Sequence, residues 1–428
     1  MSDEAQLRPD CVARERVAKW VCIALCLVLL GHVWRSYGHW QNNARDEAVF
    51  WMAGERVAAG DTRLYEPPRD ESNLIGIYIY PPAFAAFFAP LTWLERGVGR
   101  AIWAVLQVAF LVGCALVIAR QKWMRSWQMG ARLLLGLIWP IVGTIAMGQV
   151  NSLVLLLCLL AWHDSERDRP WRCGFWLALG LHVKILPFVL LGALVMQRKF
   201  KDVLAALMFA VLICVAPLPF YVSPKGFEAG VCDVVELHEA YMFQMVRPRI
   251  ADQFAYAAGG ESYSNFSISA QLDRAALVAG VEDRRVLRWV GFGVAGLLYA
   301  LALWKARGAR GETALLAWGL CMAAAVLGNL LAWPSHMVVF AMFMAPALLR
   351  SNAFRIGMSV FVIVYSVPAM VAYQAILPAW VFDTWVAAQG FGLATLMVVF
   401  LWVLAWLTTA AKKEESMSTA NGMEHNRH

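Results

Sequence analysis

The side chains of this chain that could do chemistry are few and far apart. Asp46 and Glu47 form an isolated acidic pair just beyond the first apolar run. A carboxylate at a water boundary, beside hydrophobic surface, can act as general base on a hydroxyl nucleophile. An Asp opening a helical run is equally a helix N-cap, and the two roles are compatible. Glu47 suits the positive end of the same helix or the wall of a pocket. Lys184 is the most anomalous charge, embedded in LALGLHVKILPFVLL. Ionisable groups in such surroundings are costly and commonly functional, and a cation there fits an anionic head group such as a phosphate. The plainer alternative is a lysine snorkelling to the interface. His182 beside it reads as a core residue.

Gln149 and Asn151, in GQVNS, can bond hydroxyl groups such as those of a sugar, or simply cap a helix hairpin. His336, after Pro334 and Ser335, can move a proton, bind phosphate or cap a turn. Arg274 follows Asn265 and Ser267, and a guanidinium matches phosphate in bidentate fashion. Asn265-Phe-Ser267 also has the form of a glycosylation sequon. No Walker loop, no Asp-x-Asp pair and no His/Cys cluster is present. Neither a metal ion nor another cofactor, nor a soluble nucleotide-linked donor, is therefore expected.

These residues need a scaffold, and composition says which kind. Of 428 residues 60% are hydrophobic and 16% charged, with a mean hydropathy of +0.56. Soluble domains carry about 25% charged residues, so the chain reads as a polytopic, all-α membrane protein. Twenty Trp and 22 Phe suit interfacial belts. The net charge of +7 is spread over short loops, which argues for membrane orientation and against nucleic acid. The nine cysteines fall mostly in apolar runs and give no disulfide framework.

Taken in order, the apolar runs give about twelve transmembrane helices, with basic residues in each short loop on one side and both termini on that cytoplasmic side. Residues 1–19 are expected as a cytoplasmic tail, 20–410 as one transmembrane domain, and 411–428 as a disordered cytoplasmic tail. The first span is Trp20–Trp34, and external loops occupy 35–98 and 222–285. In the first loop, Asp46–Ala59 should form an amphipathic helix ending at Gly60. Pro81–Leu94 is too short to cross at ~20 residues per span; both are expected to lie at the interface. The stretch after Trp171 should break into two short helices at Lys184, because one helix would place Lys184 and Pro187 mid-bilayer.

The blocks DEAVFWMAGERVAAGDTRLY, IYPPAFAAFFAPL, GQVNSLVLLL, LALGLHVKILPFVLL, NFSISAQLDR and SHMVVFAMFMAPAL, in that order, resemble those of the GT-C superfamily of integral membrane glycosyltransferases. Within it the chain is similar to glycosyltransferase family 87, the polyprenyl-phosphate-mannose-dependent α-1,2-mannosyltransferases and their relatives. The resemblance implies a GT-C-type helical bundle in a bacterial plasma membrane. It implies a polyprenyl-phosphate sugar donor, a lipid or glycan acceptor and surrounding membrane lipid as partners. Asp46 would be the base, Lys184 and Arg274 the donor-phosphate ligands, and Glu47, Gln149, Asn151, Asn265 and His336 the sugar and acceptor pocket. The family's late block usually has paired histidines; here only Ser335-His336 stands. The other readings of such a chain are a pentosyl (arabinose-type) transferase, a transporter or lipid flippase, and a non-catalytic assembly subunit.

Overall fold

The computed structural model describes residues 9–43, 45–66, 77–121, 126–246, 265–281, 285–329, 332–366 and 392–408. Among them the chain is helical throughout, with no strand. Its helices are α1 (Pro9–Asn43), α2 (Arg45–Ala58), α3 (Pro82–Thr92), α4 (Arg96–Ala119), α5 (Trp127–Ala146), α6 (Asn151–Ser165), α7 (Pro170–Val183), α8 (Val189–Met196) and α9 (Phe200–Ile213). There follow α10 (Leu218–Lys225), α11 (Phe227–Ala240), α12 (Ile268–Val278), α13 (Arg285–Ala306), α14 (Glu312–Gly328), α15 (Ala341–Arg350) and α16 (Asn352–Phe361). The last is α17 (Leu393–Thr408).

Among the described residues, four helical stretches are long and apolar enough to cross a membrane: Arg96–Ala119, Trp127–Ala146, Phe200–Ser223 and Trp289–Ala306. Seven further apolar helices have only 10–17 residues. A helix shorter than ~20 residues does not span alone, yet a broken one is tolerated at membrane depth when protein covers its free backbone groups. α14 is such a helix. Leu315, Trp318, Leu320, Met322 and Leu327 on all its sides are at most 1% exposed. It crosses the neighbouring α15 so closely that a Cβ on Gly319 would lie 2.3 Å from the Phe343 nitrogen. α9 is the opposite case, showing Leu204, Leu207, Val211 and Leu212 on its outside, as a lipid-facing helix does.

Local signals explain most boundaries. Glu95 caps α4, its carboxylate accepting from the Gly97 and Val98 amides. α7 stops where Lys184 adopts an extended backbone (φ −159°, ψ 133°), and a 3-10 turn through Pro187 leads into α8. The expected break is there. Helix boundaries do not coincide with the expected span boundaries. α1 does not end at Trp34 but continues to Asn43, because a helix needs an unbroken hydrogen-bond ladder, not apolar side chains, and no proline interrupts it. The same helix begins at Pro9, inside the stretch expected as a tail. The stretch 222–285, expected as the second external loop, holds α11 and α12; its residues 247–264 and 282–284 are outside the described residues, as is the expected tail 411–428.

α2 forms within a residue of the expected bounds and ends at Ala58, and Gly60 just beyond it takes a left-handed φ of 66°. Its apolar face is not left for lipid. The Phe50 ring, fully buried, meets Tyr80, Phe84, Phe88 and Trp103 at centroid distances of 4.9–6.3 Å. These edge-on aromatic contacts dock α2 onto α3 and α4.

At the ends of α6 and α9 remote from Asn151 a network of charges joins neighbouring helices. Lys199 bonds the Glu166 carboxylate at 2.9 Å and the Ser165 carbonyl at 2.8 Å. Ser165 donates to Asp202, Trp176 donates to Asp164 at 3.0 Å, and the Gly311 amide donates to Glu166.

Candidate active site

The site is assembled around the turn between α5 and α6. α5 ends in the turn Met147–Gly148, with Gly148 at φ +65°. A side chain there is excluded twice over, by that φ and by Glu47, whose Cβ lies 2.7 Å from where a Gly148 Cβ would stand. The acidic start of α2 therefore rests directly on the Gly148 backbone. Two further contacts fix the turn. Trp103 donates its indole N–H to the Gly148 carbonyl at 2.9 Å. Tyr80 donates its hydroxyl to Gln149 Oε1 at 3.2 Å.

Glu47 is fully buried and pairs with Arg100 of α4, whose Nε lies 3.3 and 3.2 Å from the two carboxylate oxygens. Burial pushes the Glu47 carboxyl up from its ordinary value, and the Arg100 guanidinium, with Arg96 farther off, pulls it back. Asp46, the preceding residue in the first turn of α2, is only partly buried. The two acids are thus divided: one held in the interior by an arginine, the other beside it at the edge of the same turn.

Asn151 is the first residue of α6 and is buried. Lys184, at the break after α7, donates from Nζ to Asn151 Oδ1 at 2.9 Å. The break is what lets the lysine do this. Extended backbone at the end of a helix frees a long side chain from the helical surface, so its ammonium reaches across to the next helix start. His336 is buried in the 3-10 turn Pro334–Phe340, and the charge of Lys184 acts on its ring. The Trp333 amide donates to His336 Nδ1 at 3.3 Å, which leaves Nε2 to carry the ring proton. The same turn is fastened to α5 by the Thr144 hydroxyl, which donates to the Ser335 carbonyl at 3.1 Å.

Asn265 and Arg274 stand behind that turn. Asn265 is fully buried, and its Oδ1 accepts from the Ser267 amide at 3.1 Å and from the Ala332 amide at 3.0 Å. Arg274, on α12, donates to the Asn265 carbonyl at 2.7 Å. Ser267 caps α12 through the Ala270 amide. The NFS motif thus couples the second loop to the segment carrying His336. Asn265 works first as a staple of backbone.

The structure accordingly brings Glu47, Gln149, Asn151, Lys184 and His336 into one connected region, with Asp46 at its rim and Asn265 and Arg274 supporting one wall. Sequence reasoning missed Arg100, Trp103 and Tyr80. Each belongs to a run read as span or turn, and no spacing marks an arginine as partner to a glutamate 53 residues away. Among the described residues no three His, Cys, Asp or Glu side chains gather as metal ligands. What the arrangement offers is a carboxylate at the edge, a cation within, and amide, imidazole and hydroxyl groups between. That set can bind a hydroxyl-rich ligand joined to an anion.

Fold and site together define a helical integral membrane protein with a cluster of buried polar and charged groups at the α5–α6 turn. A model of glycosyltransferase family 87 matches residues 78–334, and the chain belongs to that family. It is 27% identical over 209 residues to the polyprenol-phosphate-mannose-dependent alpha-(1-2)-phosphatidylinositol mannoside mannosyltransferase of Mycobacterium tuberculosis, covering 42% of this chain and 46% of the relative. It is 30% identical over 254 residues to the protein of the same description from Mycolicibacterium smegmatis, covering 55% and 52%. An alpha-(1->3)-arabinofuranosyltransferase of Mycobacterium tuberculosis is 28% identical over 160 residues, covering 35% of this chain and 36% of its own. The matched part of the chain spans about half the length of the mannosyltransferases. No solved structure matches significantly.

Proposed function

We propose that this protein transfers a hexose, mannose in the first instance, from a polyprenyl-phosphate donor to a hydroxyl of a lipid or glycan acceptor at the external face of a bacterial plasma membrane. The observation that carries the reading is the Lys184–Asn151 contact beside the Glu47–Gly148 junction. It sets a cation next to hydroxyl-binding amides, one turn of structure from a partly exposed carboxylate. In this reading Asp46 takes the proton of the acceptor hydroxyl as the acceptor oxygen bonds to the anomeric carbon. The bond from that carbon to the phosphate oxygen breaks, and polyprenyl phosphate departs with the electron pair. Phosphate is a good leaving group, so Lys184, with Arg274 from the wall, need only stabilise the charge. Neutral His336 donates a hydrogen bond to the sugar or the departing oxygen, and Gln149 and Asn151 orient the ring. The arabinofuranosyltransferase relative favours a pentose donor as the second reading.

The test is transfer of radiolabelled sugar from polyprenyl-phosphate mannose, and in parallel from polyprenyl-phosphate arabinose, to membrane acceptors by purified protein. Loss of a general base costs typically 10²–10⁴-fold in rate. Asp46→Asn should lose that much while melting at the wild-type temperature. Near-normal transfer by the variant would discard Asp46 as base, and equal inactivity of wild type with both donors would discard the reaction.

A further inference from the structure

Gln107 lies in the interior of α4, 1% exposed, and neither its amide nitrogen nor its amide oxygen has a hydrogen-bond partner among the described residues. Its place is fixed by its neighbours. Trp103, Gln107 and Cys114 fall within about 40° of one another around α4 at 100° per residue. Trp103 bonds the Gly148 carbonyl at 2.9 Å, and Cys114 contacts the Ser152 carbonyl at 3.6 Å. Gln107 stands between them on the same face, and so faces the segment from Gly148 to Ser152. That segment holds two more unsatisfied groups: Asn151 Nδ2 and Ser152 Oγ, on residues that are 1% and 0% exposed. Buried polar groups are paired in the great majority of cases, and an unpaired amide costs stability. Three such residues thus gather where α4 meets the start of α6, and one of them, Asn151, holds the Lys184 ammonium through its other amide atom.

We propose that Gln107, with Asn151 and Ser152, is a buried subsite for the ring hydroxyls of the donor sugar, lying alongside the phosphate that Lys184 meets. The inference rests on the proposed donor class and deepens it. The chemistry matches: a primary amide offers donor and acceptor side by side, as vicinal hydroxyls do. The Ser152 hydroxyl and the Asn151 N–H add one group each. The anionic part of the ligand falls to Lys184, the neutral polyhydroxylated part to the amides.

The experiment compares wild type with Gln107→Leu, of similar volume and without polar atoms, by thermal unfolding in detergent. Each protein is measured alone, with polyprenyl phosphate and with polyprenyl-phosphate mannose, and the donor KM is determined. An orphaned amide replaced by an apolar isostere leaves a free protein as stable or more so. The expected result is therefore a Gln107→Leu protein that melts no lower than wild type and responds equally to polyprenyl phosphate. It should lack the extra stabilisation that the sugar-bearing lipid gives wild type, with donor KM raised about tenfold, the worth of one lost hydrogen bond. Equal response of both proteins to the sugar-bearing lipid, with unchanged KM, overturns the subsite and assigns the amide to a buried water. A wild type stabilised as much by bare polyprenyl phosphate as by the sugar-bearing form overturns it too, while leaving the phosphate role of Lys184 standing. Indifference of wild type to both lipids removes the donor class itself. Should Gln107→Leu fail to fold, Gln107→Met, unbranched and adaptable, serves in the same comparison.

Discussion

Glu47 shows what a single buried charge demands. It is fully enclosed, and Arg100 is the cation at 3.2 Å. Such a pair contributes little over an apolar replacement, but breaking it from one side leaves a charge stranded, at about 3–5 kcal/mol. Arg100→Met should lower stability on that scale, whereas Glu47→Leu combined with Arg100→Met should recover most of the loss. Thermal unfolding of the two single variants and the double variant checks it, and simple additivity of the two single effects would deny the coupling. At this scale the sequence was half legible. Asp46, Lys184 and the Gly148–Asn151 turn declare themselves by being polar where their surroundings are not. Arg100 and Gln107 do not, because a polar residue near the start or middle of an apolar run reads as orientation signal or incidental until its neighbour across the helix interface is known.

Among the elements, the turn after α5 is the piece on which the rest bears. The left-handed φ at Gly148 costs a residue with a side chain roughly 1–2 kcal/mol, and the approach of Glu47 adds a steric clash. Gly148→Ala should therefore destabilise the protein by at least that much and reduce transfer by displacing α2, with Asp46, from the α6 start. Thermal unfolding and turnover measured together check it; a variant that melts and turns over as wild type would mean that the turn can relax. The helix break at Lys184 was readable in advance, since Pro187 resists continuation of α7 and a lysine is costly at mid-bilayer. The continuation of α1 to Asn43 was not. Hydropathy reports where a membrane ends, and helix geometry is indifferent to it. The dry side of α2 was also read only in part: the apolar stripe is real, but α3 and α4 rather than lipid cover it.

At the scale of the molecule, the described residues hold four helices of spanning length together with shorter apolar ones, of which α14 is enclosed on all sides. Length alone does not fix which ends face which side. The alternation of basic loops does make a claim: position 46 faces outward and position 121 inward. Single cysteines placed at Asp46 and Gln121, with the native cysteines replaced, should label from opposite faces of sealed vesicles with a membrane-impermeant thiol reagent. Labelling from one face would overturn the external placement of the reaction. The family was legible in blocks spread along the chain, and the family's model matches residues 78–334, which hold four of the six.

The charge network of Lys199, Glu166, Ser165, Asp202 and Gly311 sits at one end of α6, and Asn151 at the other. Fourteen residues at 1.5 Å each separate them, about 21 Å. The Asn151 end is fastened as well, through Trp103, Tyr80 and Lys184, so α6 is a strut with both feet fixed. A strut of that kind sets the distance between the lysine at one foot and the charges at the other, and packing along the whole helix holds it.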